Sequence, residues 1–229
     1  MHRPAPPLIF WTNLDYYTPI LHQVMHWLDI EELKRASRYS TPKLRFRNIA
    51  ARLFLRGVLA NLLRCTPETI VFKYHIHGKP FVDNDLEFNL SHSGSFAVLA
   101  IHSELDVGID IEQMDQKIST RGLALTLSAI EERTPPKNKE DWLRLWVRKE
   151  AIIKSSGLGF SENPSKFTTG YKPYTGWRTI DSIKNVAWDG ELPNRHIFSI
   201  ALSSAIRPSA PPIVVQHDIS LLSKLDIHF

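Results

Sequence analysis

The 229-residue chain has one cysteine, Cys65. It can form no intramolecular disulfide or thiolate zinc cluster, which suits a reducing compartment. No apolar run is long enough to span a bilayer, and the opening Met-His-Arg-Pro-Ala-Pro-Pro lacks the apolar core of a secretory signal. The expectation is a cytoplasmic protein without a membrane partner. Glycine is scarce, ten residues in all, and nowhere forms a Walker-type phosphate loop, which argues against a P-loop phosphoryl transferase. Sharp repeats, low-complexity tracts and flexible linkers are missing too. Acidic residues are absent from Lys34 to Arg56, where Lys34, Arg35, Arg38, Lys43, Arg45, Arg47, Arg52 and Arg56 crowd together. In a chain of net charge +4, this run marks either an anion-attracting surface or a solvated basic face.

A hydrophobic content of 43% is enough to build one large domain or two small ones. Leu8–Trp11 reads as a short strand. Asp29-Ile-Glu-Glu opens a helix with acidic residues in its first turn, and Arg47–Leu63 carries apolar residues at helical spacing. Ile70–His77 alternates as a strand, and Gly78-Lys-Pro80 is a turn. Phe88–Ile101 reads as a strand, a tight polar loop and a buried strand. Another helical region ends at Glu132. Asp141 is a candidate N-cap for a helix from Trp142 to Ser155, closed by Gly157 and Gly159. Short strands between Lys166 and Ser203 predict an antiparallel sheet, giving an α+β fold.

The chemistry lies in two segments about forty residues apart. In Val107-Gly-Ile-Asp-Ile-Glu112, strand geometry sends Asp110 and Glu112 to one face and Ile109 and Ile111 to the other. In Trp146-Val-Arg-Lys-Glu-Ala-Ile-Ile-Lys154, Glu150 and Lys154 are helical neighbours. Three carboxylates make a hard oxygen site suited to Mg²⁺, which keeps several waters and completes its shell with substrate phosphate. Lys149 and Lys154 would neutralise that phosphate. On pattern alone, Asp110 and Glu112 also fit the wet face of a strand, and Glu150–Lys154 a surface ion pair. His75 and His77 alternate without an evident third ligand.

Taken in order, Gly78-Lys-Pro80, Phe88-Asn-Leu-Ser-His-Ser-Gly94, Gly108-Ile-Asp-Ile-Glu112 and Trp146–Lys154 resemble the Sfp-type 4′-phosphopantetheinyl transferases. The resemblance covers about Lys34 to Phe160. It implies a pseudo-dimer of two similar halves, each a sheet packed with a long helix. The seam falls near Ser103–Asp106, so residues 1–104 form the N-terminal half, 105–206 the C-terminal half with the metal site, and 207–229 a tail.

The resemblance also implies transfer of phosphopantetheine from coenzyme A to a serine of an apo acyl, polyketide or peptidyl carrier protein. That reaction is Mg²⁺-dependent and releases adenosine 3′,5′-bisphosphate. Asp110, Glu112 and Glu150 match the metal ligands. Glu150 matches the proposed acceptor of the serine proton, and Lys154 a pyrophosphate or leaving-group contact. Ser91 and His92 match contacts to the nucleotide phosphates. Gly78, Lys79 and Pro80 match the turn at the adenine, and Arg47 falls near the 3′-phosphate contacts, with Arg35 and Arg38 as weaker candidates. The family's larger enzymes imply a monomer. Leu125-Thr-Leu127 replaces the aromatics that often precede the middle acidic motif, where Glu131 and Glu132 compete for one role. The rival reading is a non-catalytic protein that binds carrier domains, or nucleic acid through Lys34–Arg56; no nucleic-acid reading motif is present.

Overall fold

The structure, a computed structural model, describes residues 3–157, 163–180 and 184–217. Ten strands and six α-helices are assigned among them, with short 3-10 turns between. The strands are β1 (Leu8–Asn13), β2 (Lys73–Tyr74), β3 (Pro80–Phe81), β4 (Glu87–Ser93), β5 (Phe96–His102), β6 (Val107–Gln113), β7 (Arg178–Ile180), β8 (Asn185–Leu192), β9 (His196–Leu202) and β10 (Ile213–Gln216). The helices are α1 (Leu21–Val24), α2 (Ile30–Ser37), α3 (Pro42–Leu63), α4 (Thr120–Ala124), α5 (Ala129–Arg133) and α6 (Lys139–Ser156). No helix among the described residues is long and apolar enough to cross a membrane.

The fold is α+β in two parts. One four-stranded sheet has the order β10-β1-β5-β4, the other β6-β9-β8-β7. The turn at 103–106 leads from the last residue of β5 to the first of β6. Helix α3 buries Leu53, Phe54, Val58 and Leu59 in the core that also holds Phe88, Leu99 and Ile101 of the first sheet. Helix α6 lies against β6 and β9, where Gly108 permits the approach: a Cβ there would collide with the Ala151 carbonyl and the Ser155 amide. Between the sheets, Ile9, Phe96, Val98 and Ala100 share a core with Val107, Ile109, Ile111, Val186, Phe198 and Ile200.

Local chemistry sets several boundaries. Helix α3 begins five residues before Arg47, because Thr41 caps the Leu44 amide and Pro42 suits the first turn. It ends at Arg64, in the left-handed region at φ 54°. Helix α6 likewise begins earlier than expected. Its N-cap is Asn138, whose Oδ1 accepts from the Asp141 amide at 2.8 Å, so Asp141 is a first-turn residue and not the cap. Gly157, at φ 68°, closes it; Gly159 lies outside the described residues. The strand expected over Ile70–His77 shrinks to Lys73–Tyr74, because only that pair finds a partner, in Phe81 and Pro80. The polar loop expected within Phe88–Ile101 is also shorter: Asn89 to Ser93 remain in strand, and only Gly94 and Ser95 turn. Within the tail, Ile213–Gln216 pairs in parallel with β1.

Candidate active site

The carboxylates stand where the two sheets meet edge to edge. Strand β4 ends one sheet and β6 the other, and side chains of β4 take the place of a backbone ladder. Asn89 Oδ1 accepts from the Ile109 amide at 2.9 Å, and Ser93 Oγ from the Gln113 amide at 3.1 Å. An exposed strand edge would leave such amides unpaired or open to a foreign strand. The same alternation brings Ser91 and Ser93 opposite the acidic residues of β6. Ser91 Oγ donates to Asp110 Oδ1 at 2.9 Å, and Ser93 Oγ to Glu112 Oε2 at 2.6 Å.

Helix α6 supplies the other side. Lys154 Nζ donates to Asp110 Oδ1 at 2.5 Å and to Ser91 Oγ at 3.1 Å. Glu150, one turn earlier and half-buried, is pushed up to about 7, first by burial, then by the charges of Asp110 and Glu112, with Lys154 opposing. Glu112 is also raised, mainly by burial and with Asp110 adding, while the hydrogen bonds from Ser93 and Gln116 pull the other way. Glu112 and Glu150 therefore both sense Asp110, and their protonated forms are favoured when no further cation offsets them. Among the described residues, no three histidine, cysteine, aspartate or glutamate side chains are already drawn into a metal cage. The donor set nevertheless fits a hard cation. Asp110 Oδ2 is buried with no hydrogen-bond partner, a costly condition that an ion would relieve.

The other expected residues separate into groups. Gly78 and Pro80 line a cavity of about 490 Å³ together with Arg35, Arg38, Arg52, Tyr74 and Asn89. Lys79, between them in sequence, turns inward: Nζ lies 3.3 Å from Glu87 and 3.8 Å from Asp106. Arg47 is buried and pairs with Asp15 at 2.7 Å. His92 opens to solvent at the site. Its pKa is lowered, first by the surrounding protein, then by Lys154 and Arg47, with Asp110 opposing. Because the ring reaches solvent, the two cations are the firmer cause. The Lys34–Arg56 run is not one continuous patch: Arg52 and Arg56 are spent on buried Glu32, Arg47 pairs with Asp15, Arg35 and Arg38 edge the cavity, and Lys34, Lys43 and Arg45 are exposed.

Lys149 does not belong with Lys154. It is fully buried, and its ammonium contacts Glu131 Oε2 at 2.7 Å and donates to the carbonyls of Pro164 and Phe167. Burial alone would raise Glu131, but the donors from Lys149, Ser128 and Thr169 outweigh it and hold the carboxyl low. Glu132 is exposed, so Glu131 fills the internal role. Sequence reading also missed Ser93 and Gln116, both of which bind Glu112. The available signal was the alternation Asn89, Ser91, Ser93, which places three short polar side chains on one face of a strand.

A family model described as "4'-phosphopantetheinyl transferase, N-terminal" matches residues 17–104, and one described as "4'-phosphopantetheinyl transferase superfamily" matches 106–196. The 4'-phosphopantetheinyl transferase HetI of Nostoc sp. is 32% identical over 160 residues, covering 65% of this chain and 68% of HetI. The 4'-phosphopantetheinyl transferase gsp of Aneurinibacillus migulanus is 35% identical over 126 residues, 53% of each chain. A Bacillus subtilis 4'-phosphopantetheinyl transferase is 28% identical over 156 residues, 66% of this chain and 69% of that one. A relative from Synechocystis sp. is matched over 62% of its length, so the chain spans roughly half to two thirds of these relatives. The edge-to-edge site and the two adjoining matches together place this chain in the 4'-phosphopantetheinyl transferase superfamily.

Proposed function

We propose that this protein transfers the 4′-phosphopantetheine arm of coenzyme A to a serine of an apo acyl, polyketide or peptidyl carrier protein. The observation that carries the reading is the convergence of Asp110, Glu112, Glu150 and Lys154, with Asp110 Oδ2 buried and unpaired. Mg²⁺ held by Asp110, Glu112 and Glu150 would supply Lewis-acid stabilisation of pyrophosphate charge.

The cavity edged by Arg35, Arg38, Tyr74, Gly78 and Pro80 suits the nucleotide end of coenzyme A, with the arginines offering charge-assisted bonds to phosphate. Serine Oγ then bonds to the phosphorus bearing the pantetheine. The bond from that phosphorus to the bridging pyrophosphate oxygen breaks, and adenosine 3′,5′-bisphosphate leaves with the electron pair. The serine proton passes to Glu150, directly or through a water. Lys154 offsets charge on the departing phosphate.

The quasi-symmetry of the halves belongs to the same proposal. Strands β1-β5-β4 and β6-β9-β8 share one order and one set of directions, and each sheet carries one long helix. A monomer suffices, because both edges of the site come from one chain. The single free cysteine accords with a reducing cytoplasm.

The test is intact-mass spectrometry of a panel of apo carrier proteins incubated with this protein, coenzyme A and Mg²⁺. The expected result is a gain of one phosphopantetheine that a chelator abolishes. Silence across the panel while coenzyme A still binds would overturn the reading in favour of a non-catalytic binder.

A further inference from the structure

We propose that Ser93, from the N-terminal half, and Gln116, from the turn after β6, are positioning residues that lock the Glu112 carboxylate in its ligating orientation and thereby set the metal affinity of the site. The proposal rests on the functional reading above and deepens it.

Two donors converge on one oxygen. Ser93 Oγ lies 2.6 Å and Gln116 Nε2 2.5 Å from Glu112 Oε2, and among the described residues no hydrogen bond to Oε1 is formed. The direction of the serine bond is fixed. The Gln113 amide already donates into Ser93 Oγ at 3.1 Å, so the hydroxyl's single proton is directed to Glu112. The amide orientation of Gln116 is fixed likewise, since its oxygen would repel the carboxylate. Asp110 repeats the pattern one step along β6. Ser91 and Lys154 hold Oδ1, and Oδ2 is left buried and unpaired. Each strand carboxylate thus has one oxygen tied to a serine of β4 and the other available.

Only the donors differ. Lys154 brings a cation to Asp110, whereas Glu112 is held by neutral groups from β4 and from the turn after β6. Neutral donors fix a carboxylate without cancelling its charge, which preserves its attraction for a divalent ion. Partners of this kind behind a metal ligand typically account for about 10–100-fold in affinity.

The experiment is calorimetric titration of Mg²⁺ into protein saturated with coenzyme A, using wild type, Ser93→Ala, Ser93→Thr and Gln116→Met. Steady-state kcat and coenzyme A KM are measured alongside at several Mg²⁺ concentrations. Ser93→Ala and Gln116→Met should each weaken Mg²⁺ by about tenfold or more. Ser93→Thr, which keeps the hydroxyl, should stay within about twofold of wild type, and KM at saturating Mg²⁺ should barely move. Gln116 lies outside the regular elements, so its variant remains informative if Ser93→Ala folds poorly. Wild-type Mg²⁺ affinity in both Ser93→Ala and Gln116→Met would overturn the inference, as would equal losses in Ser93→Ala and Ser93→Thr. A wild-type protein that shows no Mg²⁺ response would instead sink the metal reading, and this inference with it.

Discussion

Among the described residues, each part of the molecule buries one glutamate, and the two are held almost alike. Glu32 closes a capping box with Asp29 at the start of α2, and Glu131 closes one with Ser128 at the start of α5. Each then clamps the long helix that follows. Glu32 takes Arg52 and Arg56 of α3, and Glu131 takes Lys149 of α6. Even the far side of the cation is similar: Arg56 donates to the carbonyls of Pro67 and Ile70, Lys149 to those of Pro164 and Phe167. The difference lies one residue further on. After Arg56 comes Gly57, after Lys149 comes Glu150. One clamp therefore stands behind the cavity edged by Arg35 of α2 and by Arg38 just past its end, and the other behind the helix that bears Glu150 and Lys154.

The largest effect expected is at the chemical end itself. Asp110→Ala should lower transfer on the order of 10³-fold, the scale of lost metal-assisted charge stabilisation, with circular dichroism unchanged. Wild-type turnover would remove the metal site. Breaking either clamp leaves a buried charge without its partner, at a cost of about 3–5 kcal/mol, read by denaturant unfolding. The two losses should separate in kinetics. Glu131→Gln should depress kcat with little change in coenzyme A KM, while Glu32→Gln should raise KM and spare kcat. If both variants move the same constant, the division between a binding clamp and a catalytic clamp is wrong.

Glu150→Gln sharpens the comparison from the other direction. The Glu150 pKa rises from 4.5 to about 7 on folding. The stability it contributes is full below the unfolded value and is lost as pH climbs through the folded one. In chelator, the wild type should lose roughly 1–3 kcal/mol between pH 4.5 and pH 8 relative to Glu150→Gln, discounted for partial exposure. Parallel stability curves would deny Glu150 its raised pKa. The smallest effect separates the arginines. Arg38→Ala should weaken coenzyme A several-fold more than its 3′-dephospho form, a loss within the net range of one hydrogen bond at about 0.5–1.5 kcal/mol. Arg47→Ala, which breaks a pair with half-exposed Asp15, should weaken the two forms alike. The reverse order would return the 3′-phosphate to Arg47.

What the sequence could disclose follows from how local each cause is. Asp110 and Glu112 lie on one strand face because alternation demands it, and Glu150 and Lys154 on one helix face for the corresponding reason. Glycine at 108 marks a close helix approach without saying which helix comes near. Ser93 and Lys149 could not be assigned from neighbours in sequence, since their partners come from the facing strand and from α5. The Ser91–His92 stretch looks like a loop by composition. It is strand because β5 pairs with it on one side and β6 accepts its polar side chains on the other. Strand β10 was hidden for the same reason, as its partner β1 lies some two hundred residues earlier.

The central claim is that Asp110, Glu112 and Glu150 hold one divalent ion beside the coenzyme. It is tested most directly by anomalous diffraction at the manganese edge, from crystals grown with coenzyme A and Mn²⁺. The account predicts a single strong peak among those three carboxylates, in contact with the pyrophosphate. A peak elsewhere on the protein, or coenzyme A bound with none at the carboxylates, would contradict it.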